Sequence, residues 1–329
     1  MNLISLCINN IAFSIGDLDI AWYGIIVTSG IVVAFLFFLF FSKKQGLDED
    51  YQLESFLWIV ILAVLFARIF YVVPRIGDEY TTFAEMIDIR SGGLTIVGGI
   101  FGGILGILLV TITNKKYHFA QLSDCVAFPL LLGQIIGRWG NFVNQELFGL
   151  PITNPTFQHF PFAVYIEQPW VHYPGYEAGW YCALFFYEGV INAIGLIVGY
   201  ILYRKYKDKI KPMTLTLGYL TWYGLVRGTL EFLKIDNAKI GNTNIGSIQV
   251  ISYVMACVGI VLLILLYTNK ISFISSKWDK IIEEKRAKIL AKEAAKAAEK
   301  QTNNLETKAE DINESESKNV DGNDIASRD

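Results

Sequence analysis

Long apolar runs alternate with short polar breaks along most of this chain. A helix that crosses a bilayer needs about 20 mostly apolar residues. Seven stretches reach that length, roughly residues 21–42, 54–73, 93–112, 122–142, 181–203, 214–233 and 247–267. The first, third and last are almost uninterrupted, whereas the fourth and sixth contain charges and are assigned from length and context. The basic residues between them set an expected orientation, because cytoplasmic loops collect Lys and Arg. Lys43 and Lys44 follow the first stretch and Lys115 and Lys116 the third. Arg204, Lys205, Lys207, Lys209 and Lys211 follow the fifth. The alternate loops are poorer: Arg75 and Arg90 in one, no basic residue from Gln145 to Trp180, and Lys234 with Lys239 in the last. The expected fold class is therefore an all-α polytopic membrane protein. It has seven transmembrane helices, its N-terminus outside and its C-terminus cytoplasmic.

Two segments depart from the helical pattern. Residues 145–180 are rich in Tyr, Phe, Trp and Pro, a composition suited to the headgroup region, and are expected to form a small extracytoplasmic cap. From Lys270 onward the chain changes character, with twelve of the 28 basic and 13 of the 31 acidic residues. The expected organisation is a membrane domain over residues 1–269 and a charged cytoplasmic tail over 270–329. Helix formers fill about 278–301 of that tail, and the remainder has too few apolar residues for order.

Composition agrees. The chain has 329 residues, 53% of them hydrophobic, and a mean hydropathy of +0.40. Cys7, Cys125, Cys182 and Cys257 are widely spaced and form no CxxC pair, so they signal neither a disulfide framework nor zinc. No Lys or Arg precedes Lys43, which speaks against a cleaved leader with a basic start. In the third stretch, Gly98/Gly102, Gly99/Gly103 and Gly102/Gly106 are small-xxx-small pairs that permit close helix packing.

Charge inside the apolar stretches is scarce and therefore informative. Only Arg68, Arg138 and Arg227 of the basic residues fall there. Each costs roughly 2.5–3.5 kcal/mol on insertion scales, so partners are expected. A structural ion pair with Asp124, Glu146 or Glu231 would serve, and so would a functional site. Tyr223, Arg227 and Glu231 recur at intervals of four, which puts them on one helical face. Arg138 opens the densest polar cluster, GRWGNFVNQELFG, which also holds Asn141, Asn144, Gln145 and Glu146. Guanidinium forks match phosphate oxygens, and amides can bond a polyol. The cluster suits a polar lipid headgroup. At this level a lipid-modifying enzyme and a transporter of an anionic solute stay open. A transporter would tend to show an internal repeat, and the signature occurs once.

The segment GRWGNFVNQELFG resembles the signature G-R-x-G-N-F-x-N-x-E-x-x-G of prolipoprotein diacylglyceryl transferases. Gly137, Arg138, Gly140, Asn141, Phe142, Asn144, Glu146 and Gly149 match. Trp22-Tyr23-Gly24 resembles the family's first-helix motif, Gly92-Gly93 and Gly98-Gly99 its glycine-rich third helix, and Asp124 its acidic position before the signature. Tyr223, Arg227 and Glu231 match its Y-x-x-x-R-x-x-x-E helix. The likeness covers about residues 15–268. Two positions depart from the pattern. Val97 stands where the family usually has histidine, and H-P-x-Q-L-Y-E appears as CALFFYE, keeping only Tyr187 and Glu188.

The resemblance implies a multi-pass enzyme of the bacterial cell membrane. Such an enzyme transfers the diacylglyceryl group of phosphatidylglycerol to the lipobox cysteine of a prolipoprotein signal peptide and releases glycerol phosphate. It implies catalytic roles for Arg138, Arg227, Tyr23, Tyr223 and Glu146. Contacts to phosphatidylglycerol would come from Arg138, Asn141, Asn144, Arg227 and Gly98. Support would come from Asp124, Glu231, Arg68 and Gly149. Metal, cofactor and nucleic acid are not expected, and His118, His159 and His172 are given no catalytic role. A lipid-binding relative without turnover is the other reading that Val97 raises.

Overall fold

The computed structural model describes residues 11–273 apart from 17, 89–92, 115, 172 and 236–245, together with Glu284, Ala287, Ala291 and Ala295. Gly92, Arg90, Lys115, His172, Lys239, Cys7 and the tail assignments lie outside the described residues. The chain divides after Ile274 into two units, and the elements named below all belong to the first.

A short antiparallel hairpin, β1 (Ile11–Ile15) and β2 (Leu18–Ala21), leads into α1 (Trp22–Lys44). Then come α2 (Glu49–Val72), the one-turn α3 (Phe83–Ile87), α4 (Ile96–Asn114) and α5 (Phe119–Val143). A second antiparallel pair, β3 (Ala163–Ile166) and β4 (Gly179–Cys182), precedes α6 (Leu184–Tyr206), α7 (Thr214–Leu230) and α8 (Ser247–Tyr267). The fold is mostly helical, but the two hairpins correct the all-α expectation. Both are strands of four or five residues, too short to leave a period in the sequence. Among the described residues, six helices are long and apolar enough to cross a membrane, and α7 is shorter at 17 residues.

The helix limits reflect local chemistry. α2 starts five residues earlier than its apolar run, because Asp48 caps it by accepting from the Tyr51 amide at 3.1 Å. Asp48 also meets Lys116 at 2.5 Å and the Tyr117 hydroxyl at 2.7 Å, which ties the α4–α5 turn to the start of α2. Burial pushes its carboxyl up, but these hydrogen bonds outweigh burial and hold it down at about 2. His118 accepts from the Ala120 amide at 3.3 Å and caps α5. Lys43 and Lys44 end α1, where cations suit the helix dipole.

α5 is the hub of the bundle and packs on α1, α6 and α7, while α2 pairs with α4 and α7 with α8. Outward-facing Leu36, Leu57, Ile197, Ile251 and Ile264 stay exposed, as lipid contacts require. The α2–α4 pair has little hydrophobic drive in lipid and depends on close approach. Gly98, Gly102 and Gly106 form one stripe, pressed on the backbone of Phe66, Leu62 and Ile59 of α2. A Cβ at Gly102 would run into the Leu62 carbonyl, whereas one at Gly103 meets nothing within 4 Å. Gly102→Val is therefore expected to cost about 1–3 kcal/mol by overpacking, with Gly103→Val near neutral. Thermal melts of the two variants in detergent check this, and equal midpoints would contradict it.

The segment between α5 and α6 forms a compact cap. Phe148, Val164, Ile166, Tyr181, Ala183 and Phe185 make its core. The Tyr187 hydroxyl donates to the Phe162 carbonyl and joins α6 to it.

Candidate active site

Three helices bring their charges together inside the bundle. Arg138 lies in the last turns of α5, Glu188 in the first turns of α6 and Arg227 in the last turn of α7. The Arg138 guanidinium pairs with Glu188 Oε1, and Arg227 NH1 lies 3.6 Å from Glu188 Oε2. Arg227 NH2 reaches Glu231 at 3.0 Å, and Lys234 Nζ lies 3.8 Å from Glu231. The side chains of Glu188 and Glu231 are only 2% and 1% exposed, and both arginines 12%. Burying such charges is tolerable only when each is matched. Here signs alternate across the three helices.

The row continues toward the cap. Arg138 NH1 donates to Asn141 Oδ1 at 3.5 Å, and Asn141 Nδ2 donates to Glu146 at 2.9 Å. Gln145 and Leu147, on either side of Glu146, both take left-handed φ values of 52° and 55°. Non-glycine residues in that region cost of order 1–3 kcal/mol each and persist only where their surroundings fix them. Surroundings that fix both residues against that cost also fix the Glu146 turn between them. Tyr23 of α1 packs against Gly140, where a Cβ would lie 3.0 Å from its ring, and lies within electrostatic range of Glu146 and Arg138. Tyr223 stacks on Tyr219 at 5.8 Å and feels Glu188, both arginines and Glu231.

Other predicted residues stand elsewhere. Asn144 is the C-cap of α5. Gly149 is wedged between the Leu233 carbonyl and Cys182, and its amide donates to Cys182 at 2.9 Å. It thus pins the signature loop to the ends of α6 and α7. Gly98 sits in the α2–α4 seam. Arg68 donates to the carbonyls of Met86, Gly93 and Glu85 at 2.9–3.1 Å and so holds the loop between α2 and α4. Val97 is 67% exposed on α4.

Asp124 is paired with no arginine among the described residues. It accepts from the amides of Met213 and Thr216 at 2.7 and 2.8 Å and from the Thr216 hydroxyl at 2.8 Å. It caps α7 from a neighbouring helix. Asp124→Ala would take this acceptor from the Met213 and Thr216 amides, each worth about 1–3 kcal/mol when buried unsatisfied, while the Thr216 hydroxyl keeps Ser123 at 3.0 Å. A lower melting temperature, with Asp124→Asn in between, is the expected result; an unchanged melt for Asp124→Ala would remove that role.

Sequence reasoning left Glu188 out of the candidate site, although it is the acid on which both arginines converge. The signal was present in Tyr187-Glu188, the surviving end of the weakened motif. No group of three or more metal-ligating side chains occurs among the described residues.

A helical membrane protein with a buried arginine–carboxylate centre beneath an aromatic cap is the class this geometry defines. Residues 10–265 match the family described as prolipoprotein diacylglyceryl transferase, and the chain belongs to that family. It is 30% identical to the phosphatidylglycerol–prolipoprotein diacylglyceryl transferase of Listeria monocytogenes serotype 4b over 84% of this chain and 96% of that protein. The protein of that name from Lysinibacillus sphaericus is 33% identical, over 79% and 93%. Enzyme 1 of that name from Clostridium perfringens is 34% identical, over 79% and 95%.

Proposed function

We propose that this chain transfers the diacylglyceryl group of phosphatidylglycerol to the lipobox cysteine thiol of prolipoproteins. The supporting observation is the state of the two arginines. Among the described residues, Arg227 NH1 is buried without a hydrogen bond, and Arg138 NH1 makes only the 3.5 Å contact to Asn141. Both guanidinium groups thus hold donors in reserve where water is scarce. A phosphate placed between them would receive a fork from each.

The thiol, with an ordinary pKa of about 8.5, supplies a small thiolate fraction at neutral pH. The thiolate attacks the glycerol carbon that bears the phosphodiester. A carbon–sulfur bond forms, the carbon–oxygen bond to phosphate breaks, and glycerol phosphate leaves with the electron pair. Arg138 and Arg227 stabilise the charge that grows on that leaving group. Glu188 and Glu231 orient them. Asn141, Asn144 and Tyr23 position the headgroup. Glu146 takes up the thiol proton, since Val97 cannot, and the protonated Tyr223 phenol can serve that transfer only as a hydrogen-bonded relay. In this reading seven helices span the bacterial cell membrane, with the cap and N-terminus outside and the 270–329 tail in the cytoplasm.

The test is a mass measurement. Purified full-length protein is mixed with phosphatidylglycerol and a lipobox peptide carrying one cysteine. A diacylglyceryl gain on that cysteine with release of glycerol phosphate is expected. No gain, with a histidine-bearing relative active alongside, would overturn the proposal in favour of a lipid-binding relative.

A further inference from the structure

A cavity of about 760 Å3 lies between α5, α6 and α7, on the far side of the arginine centre from the cap. The helix directions place it. Its lining includes Leu131 on α5, two turns before Arg138, Gly195 on α6, two turns after Glu188, and Trp222 on α7, before Arg227. Its volume falls within the roughly 300–1,000 Å3 usual for ligand sites. Toward the arginines the lining ends at Tyr219, whose hydroxyl accepts from Gln134 at 2.8 Å, and at Trp222, whose ring presses on Gly195. The walls are apolar, with Leu131, Val198 and Leu202.

The other end is polar and basic. Exposed Tyr206 and Lys209 stand at the mouth, where the Thr214 and Tyr267 hydroxyls lie 3.2 Å apart. Lys211 is engaged by the Leu266 carbonyl and Asn269, but Lys209 enters no ion pair among the described residues. Five basic residues and one acid, Asp208, fill positions 204–211. α6 also packs far less on α7 than α8 does.

We propose that this cavity is a second lipid site, separate from the reacting centre. It holds an acyl chain of an anionic phospholipid from the leaflet beside the basic loops, with the phosphate on Lys209 and the Thr214–Tyr267 hydroxyls. A basic pocket between helices at an anionic leaflet is suited to such a lipid. A chain seated there braces α6 against α7, the two helices that present Glu188 and Arg227.

Thermal melts of the full-length protein in detergent test this, with dipalmitoyl phosphatidic acid as the probe. The measurements are made in the natural chain and in the Arg138→Ala background, so that anion binding at the arginines does not count. A saturable rise in melting temperature is expected in both. Dipalmitoyl phosphatidylcholine should give a much smaller rise and inorganic phosphate none. Lys209→Gln should weaken the apparent affinity about fivefold, one lysine's share at an anionic lipid surface. Gly218→Phe fills the cavity, since a Cβ at Gly218 meets nothing within 4 Å, and should abolish the rise. Equal rises with phosphatidylcholine or phosphate, full affinity in Lys209→Gln, or loss of the rise with Arg138→Ala would each overturn the proposal.

Discussion

Arg138→Ala is expected to lower transfer to the lipobox cysteine by about a hundred- to a thousandfold, the scale for removing one charge-stabilising donor from a preorganised site. The bundle should survive the change. Glu188 would keep Arg227 at 3.6 Å, so no carboxylate is left alone in the interior. The loss should divide between two kinetic constants. KM for phosphatidylglycerol rises because the ground-state phosphate loses a fork, and kcat falls because the departing glycerol phosphate gains charge that one arginine alone must meet. Arg138→Lys should recover only part of the loss, since an ammonium supplies the charge without the planar pair of donors. Initial rates with a fluorescent lipobox peptide give both constants. Undiminished turnover by Arg138→Ala would end the assignment of this residue to the leaving phosphate.

Much of this architecture could be read from the chain, for a physical reason. In lipid, apolar length is nearly sufficient to define a helix, so the run at 247–267 matches α8 to the residue. Errors gather where a polar residue extends or ends a helix. Asp48 lengthens α2 at its start, and α7 gives way to a 3-10 turn at Glu231. The cap was legible as an aromatic segment but not as a sheet, because β3 and β4 are only four residues each. Helix pairing was less visible still. Glycines at 98, 99, 102, 103 and 106 look equivalent in one dimension, yet only the 98–102–106 stripe faces the α2 backbone closely.

The candidate site shows the same division. Arg138 and Arg227 stood out because cations inside apolar runs are rare. Their partner did not, because Glu188 is one of four acids within the runs, with Glu54, Asp124 and Glu231, and nothing in one dimension marks it as the one on which both arginines converge. Arg68 stood out for the same reason as the other two, but it spends its donors on three loop carbonyls. Burial of a charge in sequence therefore marks a need for partners. Which partner answers depends on how three separate helices cross.

Glu188→Gln separates those contributions and should be the most damaging single change to stability. The amide keeps the shape of the side chain and removes its charge. Arg227 retains Glu231 at 3.0 Å, but Arg138 loses the only carboxylate with which it pairs among the described residues. Removing one member of a buried pair typically costs about 3–5 kcal/mol, mostly because the other charge is left uncompensated. A large fall in melting temperature is expected in detergent, together with loss of transfer as the two guanidinium groups repel one another. A double-mutant cycle identifies the cause. If the uncompensated arginine is the source, Arg138→Gln combined with Glu188→Gln should melt higher than Glu188→Gln alone, although it transfers no better. Strictly additive losses would mean that Glu188 acts through packing instead. A melt for Glu188→Gln equal to that of the natural chain would show that the three-helix junction does not depend on this carboxylate.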